Sequence, residues 1–177
     1  CPYKIDTARS IISDMDPPAA AARRDDRAGS ITLIIGPMFS GKTTQMANYI
    51  TRGRHACRHT VVVRYRGDTR YASDAAIRTH ANIEVMRDGV SRGINPGVPP
   101  TRIITAERLA DIELSRSEIF IGVDEGQFFP DLAGMCETWA QQGRQVVVAA
   151  LDGDWRRRPF GGVLELIPLA ERVEKLQ

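Results

Sequence analysis

Short apolar runs, each closed by a turn residue, recur along the chain from Ser30 onward. Ile31 to Ile35 is apolar and rich in β-branched residues and ends at Gly36-Pro37, which predicts a buried strand. Lys42 to Arg52 carries Met46, Tyr49 and Ile50 at helical spacing and predicts a helix that stops at Gly53. Thr60 to Tyr65 predicts a second strand, with Gly67-Asp68 turning the chain out of it. A short strand is expected over Arg102 to Thr105 and a short helix over Ala106 to Leu114. The next strand, Glu118 to Val123, runs straight into Asp124-Glu125-Gly126. Pro130 and Asp131 suit a first helical turn, and Leu132, Met135, Cys136 and Trp139 form the core-facing stripe of the helix that follows, before Gly143. Gln145 to Leu151 reads as a continuous apolar strand, Val163 to Ala170 as a helix disturbed at Pro168, and Arg172 to Leu176 as a last strand. Strands that are apolar throughout and alternate with helices imply an α/β fold with a mainly parallel sheet flanked by helices.

Two stretches lack this pattern. Residues 1–28 pass from Asp16-Pro17-Pro18 through an alanine run to Arg23-Arg24-Asp25-Asp26-Arg27 and read as a flexible extension, with the domain beginning at Gly29 and running to residue 177. Residues 86–100 are rich in glycine and proline and read as a surface loop. The first residues, Cys1-Pro2-Tyr3-Lys4, contain neither an initiator Met nor an apolar signal core, which is expected of a fragment or a processed chain.

A length of 177 residues with 42% hydrophobic content suits one domain with a real core. With 24 Lys and Arg against 22 Asp and Glu, the net charge of +2 is too small to attract nucleic acid or an acidic membrane in bulk, so a polyanion has to be held by a local site. The longest strongly apolar run, Val146 to Leu151, falls far short of the ~20 residues of a membrane-spanning helix. Cys1, Cys57 and Cys136 form no C-x-x-C pair, so no disulfide framework or zinc site is expected from them, and a reducing, cytoplasmic setting fits. His55, Cys57 and His59 alternate and would share one face of an extended chain. Three ligands without visible supporting groups read better as a helix-to-strand connection than as a metal site.

Gly36-Pro37-Met38-Phe39-Ser40-Gly41-Lys42-Thr43 fits G-x-x-x-x-G-K-[ST] and lies between an expected strand and an expected helix, the setting in which that motif curls its amides around phosphate. Lys42 is then placed for the β and γ phosphates, and the Thr43 hydroxyl for Mg²⁺. Asp124, at the end of an apolar strand, is the expected Walker B partner that holds Mg²⁺ through water. Glu125 follows and would face whatever accepts or activates the phosphoryl group, either a substrate hydroxyl or a water. Arg64, Arg66 and Arg70 after the second strand, and Arg156-Arg157-Arg158 after the fifth, are cationic groups that could reach the same edge.

These residues resemble the type II thymidine kinases, the cellular and poxviral kind. The likeness runs through the phosphate loop at 36–43, Asp68-Thr69-Arg70-Tyr71, Thr79-His80, Asp124-Glu125-Gly126-Gln127-Phe128-Phe129-Pro130 and Ala149-Ala150-Leu151-Asp152-Gly153, and continues through Arg158-Pro159-Phe160 and Leu166 to Glu171. It covers about Ser30 to Leu176. The resemblance implies a RecA-like P-loop NTPase core that transfers the γ-phosphoryl of ATP to the 5′-hydroxyl of thymidine or deoxyuridine with Mg²⁺, giving dTMP for DNA precursor salvage. By the same resemblance Glu125 is the catalytic base. It also implies that Gly36, Pro37, Met38, Phe39, Ser40, Gly41, Lys42, Thr43, Asp68, Thr69, Arg70, Asp124, Glu125, Gly126 and Gln127 contact the nucleotide. Met38, Phe128, Leu151 and Trp155 enclose the nucleoside base, Trp155 standing where the family has Phe. A homotetramer and feedback inhibition by dTTP are also implied.

The sequence departs from the family in three places. The family continues beyond the segment matching Val173 to Leu176 into a zinc subdomain and a lasso loop over thymidine, Ala81 stands where the family usually has Asp, and the 86–100 loop is longer. Zinc is therefore not expected in these residues, and weak or absent thymidine kinase activity is expected of them on their own. The alternatives are an ATP-binding but inactive truncated kinase and a nucleic-acid-stimulated ATPase. Against the ATPase stand the near-neutral charge and the lack of a second motor lobe.

Overall fold

The computed structural model describes residues 29–56, 58–67 and 101–177. The extension at 1–28, the segments around Asp68 to Tyr71 and Thr79-His80, the loop at 86–100 and Cys57 lie outside the described residues. Six strands form one sheet: β1 (Ser30–Gly36), β2 (His59–Tyr65), β3 (Thr101–Ala106), β4 (Glu118–Val123), β5 (Gln145–Leu151) and β6 (Arg172–Lys175). Their order is β3-β2-β4-β5-β1-β6, and every pairing is parallel. Among the described residues two α-helices cover it, α1 (Lys42–His55) and α2 (Leu132–Gln141).

Alternation along each strand divides the core in two. Ile31, Leu33 and Ile35 of β1, Val61 and Val63 of β2, Ile121 and Val123 of β4, and Val146 and Val148 of β5 face the α2 side. There they meet Leu132, Cys136, Trp139 and Phe129. Ile34, Val62, Phe120, Val147 and Ala149 face the other side, against Met46 and Ile50 of α1. Burial on both faces explains why these strands read as unbroken apolar runs. Cys136 is fully buried in that core, where desolvation raises its thiol pKa far above the ordinary range and keeps it from acting as a nucleophile.

Four elements differ from the sequence expectation, each for a local reason. Helix α1 passes through Gly53 to His55, because Gly53 faces the Phe120 ring: a Cβ there would lie 2.8 Å from a ring carbon. The glycine is a close-packing point and not a stop. The helix expected over Ala106 to Leu114 is a single 3₁₀ turn, Leu109–Asp111. Helix α2 starts at Leu132, not at Pro130, and its N-cap Asp131 gives its carboxylate to that 3₁₀ turn, accepting the N–H groups of Leu109 and Ala110 at 3.1 and 2.9 Å. Val163–Leu166 is likewise 3₁₀, which places the buried pair Val163 and Leu166 on one eclipsed face.

Candidate active site

The phosphate-loop strand β1 and the acidic strand β4 are separated in the sheet by β5, and α1 packs over all three. That crossing carries the first turn of α1 from the end of β1 to the end of β4. Thr43 Oγ1 donates to Asp124 Oδ1 at 3.0 Å, joining two motifs that lie 81 residues apart. Gly41 is the N-cap of α1 in the left-handed region at φ 87, with open space where a Cβ would stand, so the constraint there is backbone conformation and not room. Neither a side-chain cap nor an acidic first-turn residue occupies this helix start. Ser40 Oγ is buried with no hydrogen-bond partner among the described residues. An uncapped helix start beside an orphaned hydroxyl fits an anion with oxygen acceptors.

Lys42 Nζ donates to the Pro37 carbonyl at 2.5 Å, which holds the ammonium across the loop. Desolvation lowers its pKa, opposed by the nearby carboxylates of Glu125, Asp152 and Asp124. Asp152 sits at the end of β5 as Asp124 does at the end of β4, and it also pairs with Lys175 at 3.0 Å. Its part in this charge cluster was missed from sequence, although its block was recognised.

Asp124 is 3% exposed, and its backbone N–H is anchored on the Val63 carbonyl. Burial, with the charge of Glu125 adding to it, raises its pKa from 3.8 to about 6, while bonds from Thr43 and the Glu125 N–H and the charge of Arg64 act the other way. A carboxyl with a raised pKa binds its proton more tightly in the folded chain. Stability therefore falls as pH rises from the ordinary carboxylate range through about 6, then levels. The shift of roughly two units corresponds to a cost on the order of 3 kcal/mol at neutral pH. Asp124→Asn retains an oxygen for both bonds that Oδ1 accepts. Without added Mg²⁺, the variant is expected to melt about 5–10 °C above the parent at pH 7.5 and close to it at pH 4. Paired thermal scans across that range check this, and a gap independent of pH would contradict it.

Glu125 adopts φ 54 and ψ 44, the left-handed region, at the end of β4. The turn continues as a 3₁₀ segment, Gly126–Phe128, closed by the Phe128 N–H to the Glu125 carbonyl. Gln127 Nε2 donates to Glu125 Oε2, and its Oε1 accepts the Leu151 N–H. Phe128 stacks on Tyr65 with centroids 5.2 Å apart and meets the edge of Phe160 at 5.6 Å. These two neighbours of Phe128 were not singled out for the site from sequence. Trp155 is 83% exposed, with the Arg156 guanidinium 4.3 Å from its ring centre. Met38 and Phe39 are also exposed, whereas Leu151 is half-buried. The structure thus brings Lys42, Thr43, Asp124, Glu125 and Gln127 together, while Asp68, Thr69 and Arg70 lie outside the described residues. Of the expected cationic groups, Arg64 acts on Asp124, and Arg66 pairs outward with Glu107 at 4.0 Å.

Thr43 and Asp124 offer hard oxygen donors to a small divalent cation. Among the described residues no group of three or more His, Cys, Asp or Glu could hold a metal, so a cation here would complete its shell with phosphate and water oxygens, as Mg²⁺ does in nucleotide sites.

A parallel α/β sheet with a phosphate loop at the carboxyl edge of β1 and a carboxylate pair at the end of β4 defines a P-loop protein. The profile of the family described as thymidine kinase matches residues 29–177. The chain is 38% identical over 148 residues to the cytosolic thymidine kinase of Homo sapiens, covering 84% of this chain and 56% of that protein. It is 40% identical over 149 residues to the thymidine kinases of Myxoma virus (strain Lausanne) and Vaccinia virus (strain Western Reserve), covering 84% of this chain and 74% of each. The chain belongs to the thymidine kinase family. It spans little more than half the length of the human relative.

Proposed function

We propose that the protein carrying this chain is an ATP-dependent thymidine kinase, moving the γ-phosphoryl of ATP to the 5′-hydroxyl of thymidine or deoxyuridine. The observation that carries this reading is the Thr43–Asp124 bond, which sets the phosphate loop against the carboxylate pair with Glu125 one residue further on. In this mechanism the amides at the start of α1 and the Lys42 ammonium bind the triphosphate, and the Ser40 hydroxyl takes a phosphate oxygen. Thr43 and Asp124 would hold Mg²⁺. When bound, that ion neutralises charge on the phosphates. Glu125 accepts the proton of the nucleoside hydroxyl as its oxygen attacks phosphorus, and ADP leaves. Gly36, Pro37, Met38, Phe39, Gly41, Asp68, Thr69, Arg70 and Gly126 complete the nucleotide site. Met38, Phe128, Leu151 and Trp155 receive the base, with Tyr65 and Phe160 backing Phe128.

The relatives are named as thymidine kinases, which supports thymidine as the substrate, and one is called cytosolic. By likeness to the cytosolic relative we place the protein in the cytoplasm; no described helix is long and apolar enough to cross a membrane. Assembly as a tetramer and inhibition by dTTP belong to the same reading. Steady-state ADP release tests the reaction class. Release that depends on thymidine is the expected result, and release driven by single-stranded DNA and indifferent to thymidine would replace the kinase with a motor ATPase.

A further inference from the structure

Gln127 belongs by resemblance to a nucleotide-contacting segment, yet both ends of its side chain are committed elsewhere. The residue is 4% exposed. Its Oε1 accepts the Leu151 N–H from the end of β5 at 2.9 Å, and its Nε2 donates to Glu125 Oε2 at 2.5 Å. These two bonds fix the amide without ambiguity. A backbone N–H must meet the oxygen, so the NH₂ group must face the carboxylate.

The main chain of Gln127 lies close against Gly161. A Cβ at position 161 would lie 2.4 Å from the Gln127 carbonyl oxygen, and Gly161 has φ 57, so glycine alone allows this approach. Glu125 needs such support. A non-glycine residue in the left-handed region costs about 1–3 kcal/mol and persists where its surroundings over-determine it. Its own N–H is tied to Asp124 Oδ1 at 3.1 Å, which holds the backbone but leaves the direction of the carboxylate to be set by another group.

We infer that Gln127 is a positioning residue, a strut from the end of β5 that aims the Glu125 carboxylate, and not a ligand of the nucleotide. The inference rests on the role of Glu125 proposed above. Misplacement of a reacting group by about 1 Å can cost 10²-fold in rate, so a strut of this kind acts on turnover and leaves ATP binding alone.

Gln127→Glu in the full-length protein separates the possibilities, because it keeps an oxygen for the Leu151 N–H and replaces the donor facing Glu125 with a like charge. The expected result is a fall in kcat of about 10–100-fold, the range for a lost hydrogen bond to a charged group, with KM for ATP changed less than about twofold. In a Glu125→Gln background the same substitution is expected to lower kcat no further, since no carboxylate remains to be aimed. Gln127→Met, read in the same two backgrounds, serves if thermal scans show that Gln127→Glu does not fold. A higher KM for ATP at unchanged kcat would make Gln127 a nucleotide contact and overturn the inference. An equal loss in both backgrounds would make its role general packing and overturn it too. Near-normal turnover of Glu125→Gln alone would instead overturn the assignment of the base, and the strut with it.

Discussion

Glu125→Gln is expected to slow the proposed phosphoryl transfer to thymidine by about 10²–10⁴-fold while MgATP affinity stays within about threefold of the parent; single-turnover kinetics and equilibrium titration with ATP measure the two. The size follows from what the substitution removes. Gln has the shape of Glu and can still accept a hydrogen bond from Gln127 Nε2 through its amide oxygen, so the turn at Gly126–Phe128 has no cause to open. What is lost is an anionic acceptor for the hydroxyl proton. The bond that ties the phosphate loop to the end of β4 runs from Thr43 to Asp124, and the substitution leaves that tie in place. A drop in ATP affinity matching the drop in rate would move Glu125 from proton transfer to nucleotide binding.

The second large effect is expected at Lys42. Its ammonium feels the charge of three carboxylates, those of Glu125, Asp152 and Asp124, while bonding across the loop to the Pro37 carbonyl. In Lys42→Ala that cation is gone, and a triphosphate would have to approach the three carboxylates unscreened. MgATP affinity is expected to fall at least about 10²-fold, the combined effect of lost charge-assisted hydrogen bonds and exposed like charge. Calorimetric titration measures it directly. Unchanged affinity would mean that the triphosphate does not lie along the loop.

The sheet was readable in the chain because its strands are buried on both faces, so Ile31 to Ile35, Thr60 to Tyr65, Glu118 to Val123 and Gln145 to Leu151 announce themselves without help from tertiary context. Helix ends were less readable, since contacts distant in sequence decide them. Gly53 resembles a stop until the Phe120 ring is seen against it, and Asp131, the N-cap of α2, gives its carboxylate not to its own helix but to the turn at Leu109. The same division holds at the site. The phosphate loop and the Asp124-Glu125 pair are local patterns tied to backbone geometry, and spacing alone reveals them. The Tyr65–Phe128–Phe160 stack, the proximity of Asp152 to Lys42 and the bond from Gln127 to Leu151 arise where strand ends converge. Nothing in the spacing of residues 65, 127, 152 and 160 foretells those meetings.

A structure of the protein with Mg²⁺ and a non-hydrolysable ATP analogue bears most directly on the central claim, that loop, ammonium and carboxylate pair address one triphosphate. The β and γ phosphates are expected over the start of α1 within hydrogen-bond reach of Lys42 Nζ, the cation on Thr43 Oγ1, and the Glu125 carboxylate on the far side of the γ-phosphate. A triphosphate bound away from Thr43 and Asp124 would contradict it.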